Sequence, residues 1–169
     1  AKRGATFLLN SPYGPDEVWD RLTREVQQEL IDREIELWVI DAHRVAREVG
    51  LGGRINTVMQ PCFFALSGVL PREEATAALK EAIVEAYGKR GPAVVERNQA
   101  AIDRALQALA PLPVPDRVDG GSHRLRPMPD AAPDFVKRIT GRLLAGEGDL
   151  LPVSALPVDG TFPTGTARW

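Results

Sequence analysis

Two short apolar runs constrain this chain more than any other feature. Residues 5–10 (ATFLLN) and 35–40 (IELWVI) are continuously or nearly continuously apolar, as strands covered on both faces are. Between them Pro15 opens a helix with Asp16 and Glu17 in its first turn, where proline loses no bond and acids meet the positive end of the dipole. Trp19, Leu22, Val26 and Leu30 make one apolar stripe along it. After the second run Asp41 is placed to cap a helix that carries Val45 and Val49 on one face and stops at Gly50. Strand, helix, strand, helix in that order is an α/β unit with parallel strands. Two strands alone do not make a stable sheet, so either more strands lie in the loops or further chain completes it.

The next stretch is helical. Residues 57–70 are too long and too apolar for a strand, and read as a buried helix with Pro61 near its start. Pro71 begins another, with Ala75, Leu79, Ile83 and Ala86 inward and Gly88 at its end. The Gly91-Pro92 pair opens a third, whose inner side holds Val94, Val95, Asn98, Ile102, Ala105, Leu106 and Leu109. Asn98 falls among apolar neighbours and therefore needs a hydrogen-bond partner. The fold class is α/β: a partial three-layer domain over residues 1–110, with parallel strands and several packed helices. Past Ala110 prolines at 111, 113, 115, 127, 129 and 133 give an irregular, proline-rich extension over 111–169. It reads as a polyproline-like tether, a short helix marked by Phe135, Val136, Ile139 and Leu143, and an extended tail. That tail carries Leu151, Val153, Leu156, Val158, Phe162 and Trp169, too much apolar surface to hang free, so it is expected to lie across another domain.

Charge and rare residues exclude several functions. A net charge of -2 offers no field for nucleic acid or an anionic membrane, and no apolar run reaches the roughly 20 residues of a membrane span. No signal-peptide core stands at the N-terminus, so the expected setting is cytoplasmic. The one cysteine, Cys62, makes no internal disulfide and holds no iron–sulfur cluster; among Phe63, Phe64, Ala65 and Leu66 it reads as a small buried hydrophobe. His43 and His123 belong to no metal-ligand pattern. No nucleophile–base pair or metal constellation is present, so the chain by itself is not expected to catalyse a reaction.

The candidate binding residues sit in loops. Gly52, Gly53, Arg54 and Asn56 join glycines that permit close backbone approach to an arginine suited to phosphate or carboxylate and to a helix start whose amides bind anions. The plainer alternative is a structural turn whose arginine meets another domain. Asn10 and Ser11 end the first strand, where α/β proteins place ligands, or they serve as caps and turn formers.

The stretches GATFLLNSPYGPDEVWDRL, VIDAHRVAREVGLGGRINTVMQPCFFALSGVLPREEA, AYGKRG, VVERNQAAIDRAL and GDLLPVSALPVDGTFPTGTARW together resemble the pyruvate:ferredoxin (flavodoxin) oxidoreductase family. The resemblance is to the domain equivalent to the gamma subunit of 2-oxoacid:ferredoxin oxidoreductases and its connector toward the ferredoxin-like domain. It implies a part of an enzyme that converts pyruvate and coenzyme A to acetyl-CoA and carbon dioxide. The intact enzyme would use thiamine diphosphate, magnesium and [4Fe-4S] clusters, and would pass electrons to ferredoxin or flavodoxin. By the same resemblance the cofactors are held mainly by other domains, and more chain with further strands precedes Ala1. This piece would pack against the thiamine-binding domains near the coenzyme A entrance. Asn10, Ser11, Gly52, Gly53, Arg54 and Asn56 would then face that entrance. Two other readings compete: a stand-alone acyl-CoA or nucleotide-binding module, and an assembly domain with no ligand contact.

Overall fold

The computed structural model describes residues 1–125 and 127–169; Arg126, inside the proline-rich stretch, lies outside the described residues. The chain forms two compact units, Ala1–His123 and Arg124–Trp169.

The first unit is built on a three-stranded sheet of order β1-β2-β3. Strands β1 (Thr6–Asn10) and β2 (Glu36–Ile40) are the two apolar runs. They pair in parallel from Thr6↔Glu36 to Asn10↔Ile40. The third strand, β3 (Ala110–Leu112), pairs antiparallel to β2, Leu37 opposite Leu112 and Val39 opposite Ala110. The tether expected past Ala110 therefore begins as sheet, and the sheet gains its third strand from a loop region. Proline at 111 hid it; an edge strand tolerates a residue with no N–H to donate.

Side chains alternate across the strands and feed two cores. Leu9, Ile35, Leu37 and Leu112 meet Val18, Trp19 and Leu30 of helices α1 (Pro15–Arg21) and α2 (Arg24–Asp32) on one face. On the other, Leu8 and Ile40 meet Val45 and Ala46 of α3 (Ala42–Glu48), Val58 and Cys62 of α4 (Asn56–Ser67), and Ala101 and Ala105 of α6 (Pro92–Ala108). Helix α5 (Arg72–Tyr87) packs beside α4 and α6 and buries Ala75 and Ile83, while Ala86 faces out. Helices, sheet and helices are the three layers.

Three local expectations change. The helix from Pro15 is two helices, because Leu22 and Thr23 take extended conformations; the apolar stripe continues across the break since both pieces face one core. Strand β1 is an edge strand whose two faces are covered only toward its end: Leu8 and Leu9 pack on opposite cores, while Phe7 is 46% exposed. Helix α4 is buried on one side alone: Val58, Pro61 and Cys62 point in, while Phe63 is exposed. Gly68 ends it in the left-handed region at φ 64. Asn98 has the partners it needs, donating to the Val94 carbonyl at 2.8 Å and accepting from Thr57 Oγ1 at 3.3 Å.

In the second unit a π-helical turn, Val136–Thr140, continues into α7 (Gly141–Leu144). Ala132, Val136 and Ile139 are buried, and the rings of Phe135 and Phe162 meet edge to face with centroids 5.2 Å apart. Beyond α7 the chain runs extended between single turns at Gly148–Leu150, Val153–Ala155 and Thr166–Arg168.

Candidate functional site

The candidate residues form two groups at opposite ends of α3. The first stands at the C-terminal ends of the parallel strands. Asn10 Oδ1 accepts from the Ala42 amide at 3.0 Å, and Asp41 Oδ1 accepts from the Arg44 amide at 2.8 Å. The Ala42 and Arg44 amides at the start of α3 are thus occupied by side chains of the protein itself. Ser11 is buried; its amide donates to the Ile40 carbonyl at 2.9 Å and its Oγ accepts from the Tyr13 amide at 3.1 Å. The Arg21 guanidinium lies 4.6 Å above the Tyr13 ring. A cavity of about 210 Å³ opens at this edge, lined by Tyr13, Asp41 and Arg44 among others. Arg44 is already engaged by Glu48 at 2.6 Å, and Glu48 also accepts from Arg104 at 3.0 Å. These bonds, Arg104 first and Arg44 second, hold the Glu48 carboxyl below its ordinary range.

The second group lies past the other end of α3, about 10 Å along an axis that rises about 1.5 Å per residue. The Leu51 amide donates back to the Ala46 carbonyl at 2.8 Å and seals the helix. Gly52 then turns the chain at φ 63, with open space where a Cβ would stand. Gly53, Arg54 and Asn56 are all exposed, and Asn56 is the first residue of α4. No side chain caps that helix. Among the described residues the Ile55, Asn56 and Thr57 amides and the Arg54 guanidinium have no partner. The loop is therefore a cationic corner with free donors, whereas Asn10 and Ser11 are spent on bonds within their own corner.

Sequence reading did not single out Arg97. Its Cδ lies 3.5 Å from where a Cβ on Gly50 would stand, which sets a second guanidinium-bearing side chain beside the glycine loop. No local signal could have found it, because helix α6 brings it there from 47 positions downstream.

Cys62 is wholly buried, and its Sγ donates to the Val58 carbonyl at 3.3 Å. Burial pushes the thiol up to about 11. His43 is exposed, and His123 meets Glu25 at 2.9 Å. Among the described residues no group of three metal-ligating side chains occurs.

Against known proteins, the family model described as pyruvate ferredoxin/flavodoxin oxidoreductase matches residues 1–108. A second model, described as a domain of unknown function, matches residues 122–169. The chain is similar to a pyruvate-flavodoxin oxidoreductase of Rhodospirillum rubrum, 55% identical over 98% of this chain and 14% of that protein. It is 49% identical to a probable pyruvate-flavodoxin oxidoreductase of Escherichia coli, over 99% of this chain and 14% of that one. A pyruvate:ferredoxin oxidoreductase of Moorella thermoacetica is 37% identical, again over 99% and 14%. The chain thus spans about one seventh of the length of these relatives.

Proposed function

Since this chain belongs to the pyruvate ferredoxin/flavodoxin oxidoreductase family, we propose that it is a non-catalytic part of an enzyme that oxidatively decarboxylates pyruvate with coenzyme A and reduces ferredoxin or flavodoxin. Its own task in this reading is to pack domains together and to shape the access of coenzyme A. The observation that carries the packing role is apolar surface with no cover in either unit. In the second unit Val153 is 91% exposed, and Leu144, Leu150 and Val158 are open as well. In the first, β1 leaves one edge unpaired and Phe7 outward. Surface of this kind is an interaction site or a liability, and relatives about seven times longer supply chain to cover it.

Thiamine diphosphate, magnesium and the [4Fe-4S] clusters belong, in this reading, to the other domains. Cys62 does not fit a cluster ligand: its Sγ is buried and its thiol holds its proton well above neutral pH. No described helix is long and apolar enough to cross a membrane; a cytoplasmic enzyme is part of the same proposal.

The coenzyme A role rests on the second corner, where Arg54, Arg97 and the free amides before α4 suit a phosphate. The test is the intact enzyme carrying Arg54→Ala, with KM for coenzyme A measured at saturating pyruvate. Loss of one charge-assisted bond predicts a KM about tenfold higher with kcat unchanged. Unchanged kinetics in a fully assembled enzyme would remove the loop from the coenzyme. The closed hydrogen bonding of Asn10 and Ser11 favours a second reading, in which the chain serves assembly and touches no ligand.

A further inference from the structure

The break between α1 and α2 makes a socket, and a segment 100 residues away in sequence fills it. In an unbroken helix the Trp19 carbonyl and the Arg24 amide would find partners along the helix. Here Leu22 donates to the Trp19 carbonyl at 3.1 Å, and the buried Gln27 side chain donates to the same carbonyl at 2.8 Å. Gln27 Oε1 faces the other way and accepts the amides of Asp119 at 3.2 Å and Gly120 at 2.9 Å. Asp119 Oδ1 accepts from Trp19 Nε1 at 2.8 Å. Arg24 holds the segment twice, its amide on the Ser122 carbonyl at 2.9 Å and its guanidinium on the Gly120 carbonyl at 3.0 Å. His123 closes the series on Glu25. The fit at Gly120 is tight: a Cβ there would stand 2.9 Å from both Gln27 side-chain heteroatoms.

We infer that residues 119–123, seated in the Trp19–Gln27 socket, are a clasp that fixes the point from which the second unit is tethered. The second unit begins at Arg124, directly after the last clasped residue. Without the clasp, the chain from Pro113 to His123 would be a free lead with a root-mean-square span of about 17–20 Å. A fixed origin keeps the apolar second unit at higher effective concentration for whatever surface covers it. The seat joins the α1–α2 corner to the connector and uses no hydrogen bond of the β1–β2 ladder, although the Trp19 ring also belongs to the core that includes Leu37.

Hydrogen–deuterium exchange on the intact polypeptide, without coenzyme A or pyruvate, tests this independently of enzymatic activity. The Asp119 and Gly120 amides should exchange at least about tenfold more slowly than the Arg117 amide of the same connector. Equal rates would overturn the clasp without any variant. In Gly120→Ala, protection at 119, 120 and the Arg24 amide should fall selectively, with β2 keeping its parental rates and trypsin cutting faster after Arg117 and Arg124. Unchanged exchange at 119 and 120 would overturn the inference. So would an equal loss across β2, because the segment would then be part of the core and not a separable latch.

Discussion

Asn10 at the end of β1 and Asp41 just past β2 set two side-chain oxygens on the start of α3, at 3.0 and 2.8 Å. Each is a cap, and removing one leaves an amide unpaired. Asn10→Ala should weaken α3 by about 1 kcal/mol, read as roughly fivefold faster exchange of its first-turn amides. If the strand-end corner instead bound ligand through Asn10, the same variant would raise KM for coenzyme A and leave α3 exchange alone. Cys62 offers a pH test. Its folded thiol is raised from 9.0 to about 11, so the unfolded chain releases its proton first as pH rises. The sign is destabilising: stability falls from about pH 9 toward 11, and is unaffected by this group below that window. Cys62→Ala should lack that component of the decline, whatever its packing cost. At pH 8 the native thiol should resist iodoacetamide and become reactive on unfolding.

At the scale of elements, two terminations matter. Helix α4 ends on Gly68 at φ 64, with open space at the missing Cβ. Gly68→Ala should therefore cost about 1–2 kcal/mol through backbone strain alone, and Gly68→Asn less. Exchange in the last turn of α4 distinguishes the two. The other termination, at Leu22 and Thr23, turns one expected helix into two and creates the clasp socket. Thr23 has its Oγ1 buried without a partner among the described residues. Its place before the acid of Arg24–Asp32 is a helix-start signal, but the continuous apolar stripe from Trp19 to Leu30 conceals it, because both pieces turn the same side to the sheet.

For the whole molecule, the second unit has a small buried set, Ala132, Val136 and Ile139, against a long exposed one. Val153→Asp with Val158→Asp changes no buried group of the chain, so its helices should keep their exchange rates. If these side chains are covered in the intact enzyme, the double variant should assemble poorly or be cut by trypsin near Arg168 and Arg142. Normal assembly and activity would show that this surface faces water.

The sequence by itself determined the layers. Two apolar runs, amphipathic helices between them and the cap at Asp41 are written in nearest-neighbour periodicity, which burial and local backbone geometry read directly; the stop at Gly68, inside the expected 57–70 helix, is not. The sequence also determined that Asn98 would be bonded, since it falls on the inward side of a periodic helix, and that Cys62 would be buried, since its neighbours are apolar. Only the tertiary structure decided that residues 110–112 join the sheet, that Asn10 caps a helix 32 positions away, that Arg97 stands beside the glycine loop, and that Gln27 holds residues 119–120. Each of these depends on a hydrogen bond or an approach between segments distant in the chain. Local periodicity records which face a residue turns inward; the partner that face will meet is set by how the layers close.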